Sequence, residues 1–69
     1  MRIDDAEALK NWLSRLGDLD SSNDDLIENA IWCLKNGNDY RAESSLKTLA
    51  ANLRNAGKTE SAKGVERLL

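Results

Sequence analysis

The apolar residues of this 69-residue chain recur every three or four positions, and glycines interrupt the pattern at three places. This spacing puts apolar side chains on one face of an α-helix, whereas a strand needs strict alternation, which no stretch of the chain shows. Gly17, Gly37 and Gly57 are each suited to the left-handed conformation that ends a helix. The pattern therefore predicts four amphipathic helices and no strands.

The predicted helices cover about residues 5–16, 24–35, 39–56 and 60–68. Each follows a residue whose side-chain oxygen can accept a hydrogen bond from a free backbone N–H of the first turn. These predicted caps are Asp4, with Glu7 as its capping-box partner, Ser22 or Asn23, Asn38 or Asp39, and Thr59. Gly64 weakens the fourth prediction, because glycine inside a helix costs about 1 kcal/mol relative to alanine.

Short amphipathic helices can bury their apolar faces only against one another. A chain of 69 residues supports one thin core, without a second domain or an enclosed substrate cavity. The sequence thus predicts an all-α fold, a small four-helix antiparallel bundle of two stacked helical hairpins, with residues 1–69 as a single helical domain. The last helix meets no stop signal, so we expect this domain to be the N-terminal module of a longer protein.

The composition restricts the chemistry available to the chain. Without histidine and with Cys33 as the one cysteine, it cannot assemble the usual zinc sites or a histidine-based catalytic triad. It also has no phosphate-binding Gly-x-x-x-x-Gly-Lys-Ser/Thr loop. We therefore expect no enzymatic activity, no metal and no cofactor.

The same features indicate where the protein is located. One thiol cannot form an internal disulfide, which favours a reducing compartment. The longest apolar run, Ala30–Leu34, is far shorter than the roughly 20 residues of a membrane span. A cytoplasmic protein without membrane contact is predicted.

Two segments resemble known motifs, a calcium-binding loop and a DNA-binding helix-turn-helix, but each lacks residues that its motif requires. The acidic segment Asp18–Asp25 begins like a calcium loop, but Asn23 stands where the sharp turn needs glycine and Asn29 where a bidentate glutamate belongs. A helix-turn-helix across Asn36-Gly37 would need hydrophobic residues at two positions that are polar here, and the net charge of −2 offers phosphates little attraction. Neither calcium nor nucleic acid is predicted as a partner.

Charge is divided unevenly along the chain. Residues 1–34 hold three basic and eight acidic side chains, a net of −5, and residues 35–69 hold seven and four, a net of +3. A basic flank is predicted beside the apolar stripe of the third helix, and its members are Tyr40, Lys47, Arg54 and Lys58. Two interpretations are open: the flank orients the basic hairpin against the acidic one, or it docks an acidic partner segment.

Trp32 does not fit the apolar stripe of its helix, because it falls among polar residues about 100° from Ile31. Tryptophan at such a position is either an anchor for a partner or lies over a neighbouring helix or loop. Trp32 is therefore the fifth candidate residue for partner binding.

Residues 34–69 carry a pattern in which a Gly-Asn-Asp turn at Gly37 opens a long helix and Gly57 closes it. Further matching positions are Ser44 and Ala50 in the long helix, and Ala62, Val65 and Leu68 in the closing helix. In these positions the segment resembles the N-terminal helical domain of bacterial AAA+ family ATPases, and also helical hairpins of the tetratricopeptide and microtubule-interacting-and-trafficking types.

The resemblance implies a non-catalytic interaction module that recruits a substrate or partner to an ATPase located further along the chain. By analogy with such hairpins, the expected partner is a protein helix or an acidic peptide segment lying along the basic flank. The alternative is a free-standing small acidic regulator or inhibitor, for example phage-encoded, that binds a protein through its surface. The sequence does not specify an oligomeric state.

Overall fold

A computed structural model describes all 69 residues and contains four α-helices and no strand. The helices are α1 (Ile3–Leu16), α2 (Ser21–Lys35), α3 (Asp39–Asn55) and α4 (Thr59–Glu66). Each helix packs against the next one in sequence, α2 and α3 make the most extensive contact, and α4 returns to touch α1 along a narrow seam. The predicted all-α four-helix bundle is confirmed.

One core of apolar side chains, drawn from all four helices, holds the bundle together. The predicted stripe of α3 is buried along its whole length, and its members are Ala42, Leu46, Leu49, Ala50 and Leu53. Cys33 is buried as well, as expected of a small apolar side chain. Leu16, three residues after the buried Leu13, is half exposed at the end of α1.

The three connections between helices are built alike. Gly17, Gly37 and Gly57 have φ values of 75°, 72° and 79°, which only glycine adopts without strain. The N–H after each glycine donates to the carbonyl five residues earlier, in the pairs Asp18–Leu13 at 3.1 Å, Asn38–Cys33 at 2.8 Å and Lys58–Leu53 at 2.8 Å. This is the Schellman motif, and its recurrence every twenty residues sets the spacing of the helices.

The first helix begins earlier than predicted, and Asp4 is not its cap. Arg2 occupies the N-cap position without a side-chain hydrogen bond, and the helix starts at Ile3. Asp4 and Asp5 lie inside the first turn. Carboxylates are favourable there because they face the free N–H groups and the positive end of the helix dipole.

The second helix also begins earlier, at Ser21 rather than near residue 24. Its cap is Asp20, whose Oδ1 accepts from the Asn23 backbone N–H at 2.8 Å, so the prediction of Ser22 or Asn23 is wrong. A carboxylate is an equally good cap, and because it stands two residues before Ser22 and three before Asn23, the helix gains three residues at its start.

The predicted cap of α3 is confirmed at Asn38, whose Oδ1 accepts from the Arg41 backbone N–H at 3.2 Å. Thr59 does not cap α4 but is its first residue, and Lys58 takes the N-cap position without a side-chain bond. The turn before α4 leaves a single residue between the motif glycine and the helix, which fixes this register. Helix α4 ends at Glu66, two residues short of the predicted end.

No helix here combines the length and the hydropathy that crossing a bilayer requires.

Candidate partner-binding surface

The predicted basic flank is only partly assembled. Tyr40, Lys47 and Arg54 are seven residues apart along α3 and therefore share one side of that helix. This side faces α4, because Arg54 reaches Glu66 there. The opposite side of α3 faces α2, through the hydrogen bond from Asn29 to Ser45.

Arg54 is engaged within the protein. Its Nε and Nη2 donate to the two carboxylate oxygens of Glu66 at 2.7 and 2.6 Å, a bidentate pair that joins α3 to α4. The hydrogen bonds and the charge of the partner raise the pKa of Arg54 and lower the pKa of Glu66. Arg54 thus positions α4, as a residue of a solvated structural flank would.

Lys58 is engaged as well, with the carboxylate of Asp18 at 3.4 Å. The hydroxyl of Ser61 also donates to Asp18, whose side chain is only 9% exposed. This hydrogen bond, together with the charge of Lys58, lowers the pKa of Asp18 against the opposing effect of burial. Asp18 therefore fastens the start of α4 to the end of α1.

The pair of Lys58 and Asp18 is the one ion pair that joins the acidic half of the chain to its basic half. Lys10 of α1 pairs with Glu28 of α2, and it lies 4.0 Å from Asp24, all within the acidic half. The proposed orientation of one hairpin against the other by charge is thus realised at a single contact.

Tyr40, Lys47 and Trp32 make no side-chain hydrogen bond or ion pair within the protein, and all three are exposed. Tyr40 is 83% exposed and Trp32 is 60% exposed, so neither ring belongs to the core. Trp32 projects from the outer face of α2 and Tyr40 from the α4-facing side of α3, on either side of the turn that joins these helices. Trp32 and Tyr40 therefore lie at one end of the bundle, whereas Lys47 lies midway along α3, about 10 Å from Tyr40 at 1.5 Å per residue, and the three form no continuous stripe.

The polar residues between α2 and α3 were not among the predicted site residues. Asn29 Nδ2 donates to Ser45 Oγ at 2.7 Å, and Asn52 Nδ2 donates to Asn23 Oδ1 at 3.3 Å. In the sequence these residues look like an ordinary solvated face. The available signal was the spacing of Ser45, Thr48 and Asn52 by three and four, which puts them on one side of α3.

No protein-family model, no curated protein and no solved structure matches this chain.

Proposed function

We propose that this chain is a protein–protein interaction module that binds its partner at the end of the bundle formed by the turn between α2 and α3. The observation that carries the proposal is the exposure of Trp32 and Tyr40, two of the three aromatic residues of the chain. Aromatic rings bury the most apolar area in a core, and a chain this small gains most from burying them. Tryptophan and tyrosine left outside are typical of binding hot spots.

The charge of Lys47 favours an acidic partner. Arg54 and Lys58 are paired within the protein, whereas the ammonium of Lys47 has no carboxylate within ion-pair distance. An acidic peptide or the acidic face of a helix would pair with Lys47 while its apolar side chains covered Tyr40. Trp32 would add a second contact across the turn.

The resemblance to the N-terminal domain of AAA+ ATPases makes a recruiting role our first choice for this module. Both glycines of that pattern, Gly37 and Gly57, bound the long helix α3, as such a hairpin requires. The module would act in the cytoplasm and present a partner to the ATPase, contributing no catalysis of its own. The intact mass of the natural gene product tests this role, since a mass near that of 69 residues would leave the free-standing regulator instead.

The binding surface itself can be tested by photo-crosslinking in cells of the source organism. A benzophenone amino acid replaces Tyr40 in one variant and Trp32 in another, and Arg15, an exposed residue of α1, in the control. We expect the same protein to be crosslinked from positions 40 and 32 and not from position 15. Crosslinks that do not depend on position would contradict the proposal.

A further inference from the structure

A polar groove runs between α2 and α3, on the side of α3 away from Tyr40 and Lys47. It consists of two adjoining depressions of about 610 and 400 Å³ that share Ser22 and Asn52. We name it the amide groove, and the residues used to define it are Ser22, Asn23, Asn29, Thr48, Asn52 and Asn55. The proposed partner surface uses none of these side chains.

The composition of the amide groove is unusual for the flank of a helix pair. Positions beside the core are normally filled by long side chains. The contact between α1 and α2 follows that rule with Lys10 paired to Glu28, and the contact between α3 and α4 follows it with Arg54 paired to Glu66. Between α2 and α3 short amides and hydroxyls take their place. Asn29, Thr48 and Asn52 lie inside helices, where asparagine and threonine are poor helix formers. A local rule broken repeatedly on one face indicates a function for that face.

Hydrogen-bonding groups in the groove remain free for a ligand. Asn29 and Asn52 each donate once across the groove, and their carbonyl oxygens have no partner in the protein. Asn23 is 93% buried, its Oδ1 accepts from Asn52, and its Nδ2 has no acceptor. No fully enclosed side-chain polar atom lacks a partner, so the Nδ2 of Asn23 keeps contact with solvent, and Asn23 lines the groove. The lining thus offers both donors and acceptors.

This arrangement matches the hydrogen-bonding groups of a peptide backbone. A side-chain amide carries the same N–H donors and C=O acceptor as a peptide group, so amides in a row can pair with successive residues of an extended chain. From Thr48 to Asn55 the groove follows α3 for about 10 Å at 1.5 Å per residue. That length accommodates about three extended residues at roughly 3.3 Å each.

Charge narrows the class of ligand further. Asp20 and Asp25 lie at the edges of the groove, and no lysine or arginine lines it. Acidic peptides, phosphates and nucleic acids are therefore disfavoured, and a basic side chain on the ligand gains from both carboxylates. We propose that the amide groove binds an extended, neutral to basic peptide segment through main-chain hydrogen bonds to Asn23, Asn29 and Asn52.

A random heptapeptide library displayed on phage provides the probe. Peptides selected on the wild-type protein are synthesised, and their affinities are measured for three variants. Thr48→Arg fills the groove, Asn52→Leu removes an amide at nearly constant volume, and Ala51→Arg places the same added arginine on an exposed position of α3 outside the groove. Thermal unfolding of each variant establishes that it is folded.

We expect basic linear peptides whose affinity falls at least tenfold with Thr48→Arg and with Asn52→Leu, and less than twofold with Ala51→Arg. Methylation of the backbone nitrogens of the peptide should also weaken binding at least tenfold. Peptides that bind Thr48→Arg as tightly as wild type, or that tolerate backbone methylation, would overturn the proposal. Peptides weakened by Tyr40→Ala and not by Thr48→Arg would overturn it too, while supporting the proposed function.

Discussion

The indole ring of Trp12 in α1 lies directly on the backbone of α4 at Gly64. A Cβ added to Gly64 would stand 2.7 Å from Cη2 of the ring, closer than real side chains approach, and 3.3 Å from Cε3, a tight contact. The glycine that weakens α4 as a helix thus permits the seam between the first and last helices to close. The seam is narrow, so the position of α4 on α1 depends on this contact together with the bonds of Asp18 to Ser61 and Lys58.

Gly64→Ala should destabilise the protein, although alanine is the better helix former. Displacing the ring costs about 1–3 kcal/mol, which outweighs the gain of about 1 kcal/mol in helix propensity. In a Trp12→Leu background the ring is gone, and the same substitution should stabilise by up to about 1 kcal/mol. Urea unfolding of the four proteins measures this change of sign. A stabilising effect of Gly64→Ala in both backgrounds would contradict the packing.

Stability at acidic pH should depend on Asp18. Its pKa is lowered from the ordinary value of 3.8, chiefly by the hydrogen bond from Ser61, so its contribution is complete above that value and is lost as the pH falls through the lowered pKa. Asp18→Asn should be less stable than wild type at neutral pH, and the difference should shrink below about pH 4.

The measurement for Asp18 is the free energy of unfolding from urea titrations at a series of pH values. Asp25→Asn serves as the matched control, because Asp25 is exposed and forms no ion pair. Glu66, whose pKa is also lowered, is present in every protein compared, so the difference between curves isolates Asp18. A constant difference between wild type and Asp18→Asn at all pH values would refute the contact.

Asp20→Ala should destabilise the protein by about 1 kcal/mol, the usual cost of losing an N-cap side chain. Ser22→Ala should change stability by less than about 0.5 kcal/mol, because Ser22 is exposed and caps nothing. Thermal unfolding of both variants compares Asp20, the observed cap, with Ser22, one of the two caps predicted from the sequence. Equal losses for the two variants would place the start of α2 elsewhere.

Trp32→Ala and Tyr40→Ala should each change the free energy of unfolding by less than about 0.5 kcal/mol, because both side chains are mostly exposed. Trp12→Ala should be clearly more destabilising, since Trp12 packs against the core. Denaturant titration of the three variants makes the comparison. A large loss with Trp32→Ala would mean that this ring has a structural role.

The helices and the core could be predicted from the sequence because both follow from the spacing of apolar residues and glycines along the chain. The apolar stripe of α3 repeats with the helical period, and its glycine boundaries act within a few residues. The N-cap residues were harder to predict. Asp4 and Asp20 can each serve as an N-cap or as a residue of the first helical turn, and the local sequence does not decide between these roles.

Contacts between distant segments could not be predicted in this way. The residues next to Arg54 and Lys58 in the sequence do not indicate that their partners are Glu66 and Asp18. Two of the five candidate binding residues therefore form ion pairs within the protein that the charge pattern did not predict. The helical wheel places Trp32 outside the apolar stripe of α2, but it does not say whether the ring is exposed or covered by another segment, so both interpretations stayed open.

Whether the exposed aromatic residues bind a protein can be measured by affinity capture from extracts of the source organism. The baits are wild type, the Trp32→Ala/Tyr40→Ala double variant, and an Arg15→Ala control at an exposed site of α1, compared by quantitative mass spectrometry. We expect a protein that is retained by wild type and by the control, and whose retention falls at least tenfold with the double variant. Identical retention by all three baits would contradict it.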